Sequence, residues 1–182
     1  SIVCSVPGPV VVVQLVRRGQ FYRVTVELVD TAGASTLSDE TVELLRSSQA
    51  AVVVADISVR DTLQAASTLL REMDDKSCKP DVLALALNKC DFRSLRVVAP
   101  ADAASFSRDS GFDASVETSA TSGLRTNELL YRLAESYVEK GSVEPAPGRV
   151  NPRVPSVSRK RMRNMPAVSV TLFRPGAALP SG

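Results

Sequence analysis

The run Val82-Leu83-Ala84-Leu85-Ala86-Leu87 passes directly into Asn88-Lys89-Cys90-Asp91, and this junction decides how the rest of the chain is read. Six apolar residues without alternation fit a strand buried on both faces, as parallel sheets require. A polar cluster at its carboxyl end lies where open α/β sheets bind ligands. Ala50 to Ala55 is a second continuous apolar run, and between the two Leu63, Ala66, Leu70 and Met73 recur at helical spacing, with Asp61 read as the cap. Downstream, Pro100 to Ser110 reads as a helix and Ala114 to Val116 as a short extended segment. Thr126 then opens an amphipathic helix through Leu129, Leu130, Leu133, Ala134 and Tyr137 that Gly141 stops. Upstream, Val10 to Val16 is broken by Arg17-Arg18-Gly19-Gln20, after which Tyr22, Val24, Val26 and Leu28 alternate with Arg23, Thr25 and Glu27. Two β-rich runs around a short Gly-containing loop predict an antiparallel hairpin. The expected fold is α/β, a mostly parallel sheet with helices on both faces.

Composition divides the 182 residues unevenly. Up to Gly148 there are 15 basic and 20 acidic residues, a net of −5; from Arg149 onward there are 7 basic and none acidic, a net of +7. Seven of the 11 prolines lie between Pro145 and Pro180. A Pro-rich basic stretch of this kind buries too little apolar surface to offset its ordering entropy. The expected division is therefore a folded domain over 1–140 and a disordered tail over 141–182. The chain has no histidine, which removes His-based triads and His metal sites. Its three scattered cysteines, Cys4, Cys78 and Cys90, form no disulfide framework and suit a reducing compartment. The longest apolar run, near Val10 to Val16, is too short to span a bilayer.

Two further motifs share the strand-end position. Asp30-Thr31-Ala32-Gly33 ends the second hairpin strand, and Glu117-Thr118-Ser119-Ala120 follows the short segment at Ala114. With Asn88-Lys89-Cys90-Asp91 between them, the chain resembles a small GTPase of the Ras superfamily over roughly Val10 to Lys140. The order matches that family, with 58 residues from Asp30 to Asn88 and 31 from Asn88 to Ser119. Leu28-Val29 before Asp30, where a Trp would mark the Rab branch, resembles the Ras/Rap branch. The resemblance implies a P-loop-NTPase-like sheet, GTP or GDP with Mg²⁺ as ligands, and a role as a switch in signal transduction with hydrolase activity. It implies that Asp91 accepts two hydrogen bonds from the guanine edge, a planar donor pair that adenine lacks. Asn88 ties the loops together, the Lys89 stem lies along the base, and Ser119 and Ala120 present a backbone N–H to guanine O6. Asp30 would hold Mg²⁺ through water, and Gly33 would let the backbone approach the γ-phosphate.

The chain also departs from that pattern. No stretch reads Gly-x-x-x-x-Gly-Lys-Ser/Thr, and the first Lys is Lys76; the backbone cradle, Lys charge and Mg²⁺ ligand of a phosphate loop are absent. Only 29 residues precede Asp30 and the first is Ser1, so the chain reads as N-terminally incomplete, without the family's first strand, phosphate loop and first helix. In the family that strand lies mid-sheet, and its loss would leave two open edges. Either Val10 to Val16 takes the central place or it forms the hairpin; the short Gly19 turn favours the hairpin. Ala34 stands where the family has the Gln that orients the attacking water, so no catalytic residue is assigned and hydrolysis is expected to be weak or absent.

The last cysteine is Cys90, so no C-terminal lipidation site is read and a cytoplasmic location is expected. Arg159-Lys160-Arg161-Met162-Arg163 suits weak contact with anionic lipid at a membrane periphery, or mere solubilisation. No folded basic face supports nucleic-acid binding. Two readings follow: a guanine-nucleotide switch with unidentified effectors and regulators, or a non-enzymatic pseudo-GTPase that serves as an interaction or scaffold module.

Overall fold

A computed structural model describes residues 10–31, 36–141 and 167–173. Six strands and four helices follow in the order β1 (Val10–Arg17), β2 (Gln20–Asp30), α1 (Asp39–Ser47), β3 (Ala50–Asp56), α2 (Asp61–Asp75), β4 (Val82–Asn88), α3 (Pro100–Asp109), β5 (Ala114–Glu117), α4 (Thr126–Glu139) and β6 (Ala167–Phe173), with one 3-10 turn at Arg93–Leu95. The strands form one sheet in the order β1-β2-β6-β3-β4-β5. Only the β1–β2 pair is antiparallel; the other four pairings are parallel, as the apolar runs predict.

The hairpin forms as expected. Arg17 pairs with Gln20 across Arg18 and Gly19, and both loop residues take positive φ, 49° and 75°. A two-residue turn of this hand matches the twist of the flanking strands.

The strand β4 is buried along its whole apolar length, and its two faces differ in size. Leu83, Leu85 and Leu87 join one core with Leu45, Ile57, Leu69 and Met73 beneath α1 and α2. Val82, Ala84 and Ala86 join the other with Val24, Val26, Leu133 and Tyr137 beneath α4. Large residues fill the space under several helices, and small ones let the single helix α4 approach closely. Each fully buried Leu contributes on the order of 1.5–3 kcal/mol over its exposed state.

Two expectations need correction. The stretch 141–182 was expected to be a disordered tail, but Ala167–Phe173 form β6, which pairs in parallel with β2 on one side and β3 on the other. The rest of that stretch beyond Gly141 lies outside the described residues, as does the basic cluster Arg159–Arg163. The central place is thus filled neither by β1 nor left open: β6 takes it. The cause is chemical, because β2 and β3 each present a row of unpaired N–H and C=O groups that a buried sheet must satisfy. The alternating run Val168, Val170, Leu172 supplies a strand to do so. Asp61 is also not a cap: it is the first residue of α2, the N-cap position falls on Arg60, and no side chain bonds there. The Asp61 charge still favours the positive end of the helix. At α1 the capping residue is Ser38, whose side chain accepts the Thr41 N–H.

Candidate functional site

Parallel pairing aligns the strand ends. Asp56 is in register with Asn88, and Leu87 with Glu117; Asp30 is opposite Leu172, and Val53 opposite Phe173. The carboxyl ends of β2, β6, β3, β4 and β5 therefore form one edge carrying Asp30, Asp56, Asn88 and Glu117. The chain leaves β6 at this same edge.

Past β4 and β5 the two loops are tied to each other. The Thr118 N–H donates to Leu87 O at 2.8 Å and the Cys90 N–H to Thr118 O at 3.0 Å, so the ladder continues beyond the last paired residues. The Ala120 N–H then donates to Asn88 Oδ1 at 3.0 Å. Ser119 is fully buried; its N–H donates to Leu124 O and its Oγ accepts the Ser122 N–H at 3.2 Å. Asn88, Ser119 and Ala120 are thus brought together, 32 residues apart in the chain at the Asn88–Ala120 bond. The backbone N–H expected to meet guanine O6 is the one Asn88 holds. Reading O6 there requires Asn88 to share or release it.

Asp91 is exposed beyond the end of β4. Its backbone carbonyl accepts the Arg93 N–H at 3.0 Å, which fixes the turn. Among the described residues no hydrogen bond or ion pair holds its carboxylate, so both oxygens remain available for a planar donor pair. Arg96 braces the neighbouring loop, with Nη2 on Glu117 Oε2 at 2.8 Å and Nη1 on Val98 O at 3.1 Å.

Lys89 has φ 66°, a left-handed conformation uncommon outside glycine. Its Nζ lies 2.6 Å from Asp56 Oδ2. The other oxygen of that carboxylate accepts the Ser58 N–H at 2.8 Å and the Ser58 hydroxyl at 2.6 Å. Burial opposes ionisation of Asp56, but the bonds from Lys89 and Ser58 outweigh it and hold the carboxyl below its ordinary value. Sequence reasoning missed Asp56. The available signal was an acidic residue ending the apolar run Ala50 to Ala55, the strand that pairs with the one ending in Asn88-Lys89.

On the other side of β6 the site is less complete. Asp30 is exposed at the end of β2. Gly33 and Ala34 lie outside the described residues. No three acidic, cysteine or histidine residues gather as a metal site among the described residues. Asp30 is thus a carboxylate that could contribute one oxygen donor to a divalent ion, directly or through water. Cys78 and Cys90 are free thiols, and burial pushes the Cys78 thiol up, as suits a packing residue.

The model of the Ras family matches residues 13–139. The chain belongs to the Ras family. It is 32% identical over 124 residues to the Ras-related protein Rab-5A of Dictyostelium discoideum, covering 68% of this chain and 61% of that protein. It is 32% identical over 119 residues to mouse Ras-related protein Rab-22A, covering 65% of this chain and 60% of the relative. The canine Rab-22A matches at 30% over 120 residues. The chain thus spans about three fifths of the length of the curated relatives it matches. These relatives are Rab proteins, whereas Leu28-Val29 before Asp30 suggested the Ras/Rap branch. No helix among the described residues is long and apolar enough to cross a membrane.

Proposed function

We propose that this Ras-family chain is a guanine-nucleotide-binding domain that reads the base through Asn88, Lys89, Asp91, Ser119 and Ala120. The observation that carries the reading is the bond from Ala120 N–H to Asn88 Oδ1, which joins the two loops beside an Asp91 carboxylate held by no described partner. Asn88 ties the two loops and shares the Ala120 N–H with guanine O6, Asp91 accepts the guanine N1–H and 2-amino group, and the Lys89 methylenes cover one face of the base. Bound GTP with Mg²⁺ would supply the scissile phosphoanhydride. Asp30 would meet the ion through water, and Gly33 would offer its N–H to the γ-phosphate side.

The phosphate half is weaker. After the central strand β6 the sequence is Arg174-Pro175-Gly176-Ala177-Ala178-Leu179-Pro180-Ser181-Gly182, with glycines and one cation but no Gly-Lys-Ser/Thr. Ala34 offers a methyl group where a water-orienting amide is needed. We therefore expect binding dominated by the base, with hydrolysis very slow.

The test is a titration of the full chain with fluorescent GDP and ADP analogues. GDP should be preferred, and Asp91→Ala should equalise the two. Equal affinity in the unsubstituted chain would overturn the reading. A second reading, a non-enzymatic interaction module, is favoured by Ala34 at the position where the family has its water-orienting Gln. It predicts association with a protein partner whose strength does not change with added GDP or GTP. Effectors, regulators and contact of the Arg159–Arg163 cluster with anionic membrane belong with these proposals.

A further inference from the structure

We propose that Asp56 is a positioning residue for guanine recognition, acting through Lys89 and not by touching the base; this rests on the nucleotide-binding reading above. Asp56 ends β3 one strand away from Asn88, its register partner. It is pinned twice. Its N–H donates to Thr62 Oγ1 at 3.0 Å, and the Thr62 hydroxyl is shared between Asp56 O and Val59 O. Its carboxylate takes two bonds from Ser58 on one oxygen and the Lys89 ammonium on the other.

The two ends of the ion pair are not equivalent. The Asp56 side chain is 17% exposed and that of Lys89 51%, so the carboxylate is the fixed end and the lysine the guided one. The left-handed backbone at Lys89 starts the stem just past the end of β4, and Asp56 ends it at the end of β3, so the methylenes are drawn along the ligand-binding edge beside Asn88. A lysine stem free in solvent loses rotamer freedom when a base packs on it. One already tethered at its ammonium loses less, which is the advantage of preorganisation. The contact also ties the β3–α2 loop to the base-reading loop, so the first described turn of that loop shares the fate of the guanine site.

The test measures binding of GMP, GDP and GTP to the full chain, to Asp56→Asn, to Lys89→Met and to the double variant. Asn keeps an oxygen for Ser58, and Met keeps most of the apolar stem, so both lose the anchor while leaving the surroundings in place. Each single variant should weaken all three nucleotides by about tenfold, by the same factor whatever the phosphate number. The double variant should be no weaker than either single one, since both remove the same tether. Unchanged affinity in Asp56→Asn would overturn the proposal, as would losses that multiply in the double variant or grow with phosphate number. If Asp56→Asn melts before it can be titrated, Lys89→Met decides alone: it leaves the Ser58 turn intact, and wild-type affinity there overturns the proposal. Failure of the unsubstituted chain to prefer guanine would instead remove the reading on which the proposal rests, and that result is visible before any variant is made.

Discussion

The two halves of the sheet on either side of β6 are built differently. In β3, β4 and β5 the strands come from consecutive parts of the chain, and their ends are joined by hydrogen bonds among Asp56, Lys89, Asn88 and Ala120. The hairpin β1–β2 closes on itself through a two-residue turn, but reaches the rest of the sheet only through a strand from far along the chain. The first half carries the residues proposed to recognise a base; the second ends in an exposed carboxylate, Asp30. The proposed base recognition is thus local to one contiguous unit, while the proposed phosphate side depends on how well the central strand joins the two.

The sharpest way to break this contrast is Val170→Pro. Val170 lies opposite Leu28 on one side and Ala50 on the other, and proline removes an N–H from a strand with neighbours on both edges. The expected result is a large fall in the melting temperature by circular dichroism, since a ladder hydrogen bond is lost from a central strand. An unchanged melt would mean that β6 does not hold the halves together.

A smaller loss should stay within the first half. Asn88→Ala leaves the Ala120 N–H without its acceptor and should cost roughly 0.5–1.5 kcal/mol by urea unfolding, with a greater relative loss of GDP binding. If binding survives intact, the loop tie is structural only.

Acid sharpens the comparison further. The folded Asp56 carboxyl lies below its ordinary value of 3.8, so the unfolded chain takes up its proton first as pH falls. The contribution is complete above that ordinary value and is lost below it, as pH drops through the lowered folded value. Wild type should therefore lose more stability between pH 5 and the acid limit than Asp56→Asn, as followed by urea midpoints across that range (about pH 5 down to 2). Parallel curves for the two proteins would remove Asp56 from the account.

The smallest effect should come from the hairpin's surface. Arg17 pairs with Glu135 and Glu139 of α4, yet its side chain is 43% exposed. Arg17→Ala should cost well under about 1 kcal/mol, and less still in high salt. A large loss would show that the hairpin is docked by charge and not by Val13, Leu15, Val24 and Val26.

Much of this was legible because the local signals agreed. Leu83, Leu85 and Leu87 announced a strand with no polar face, Leu70 and Met73 a helix above it, and Gly19 a turn. The three strand-end motifs were readable for the same reason, since each follows an apolar run. The strand β6 was not, because Val168, Val170 and Leu172 stand inside a basic, Pro-rich stretch whose average composition speaks against burial. A window of seven residues would have shown the alternation that a window of forty concealed. Asp61 misled because an acidic residue before an apolar stripe suits both the cap and the first turn. Asp56 escaped notice because its partner, Lys89, is brought to it only by the pairing of β3 with β4.

The position of β6 also sets an order of events during synthesis. Chains emerge from the ribosome amino end first, so the hairpin and the β3–β4–β5 unit are both complete while the strand that must lie between them has yet to appear. Until Phe173 clears the exit, the edges of β2 and β3 lack the strand that pairs with both. The final step of assembly is then an insertion between two preformed pieces, a long-range closure of the kind that makes folding slow. A chain built this way has its greatest need of a chaperone in the interval between the emergence of α4 and that of β6.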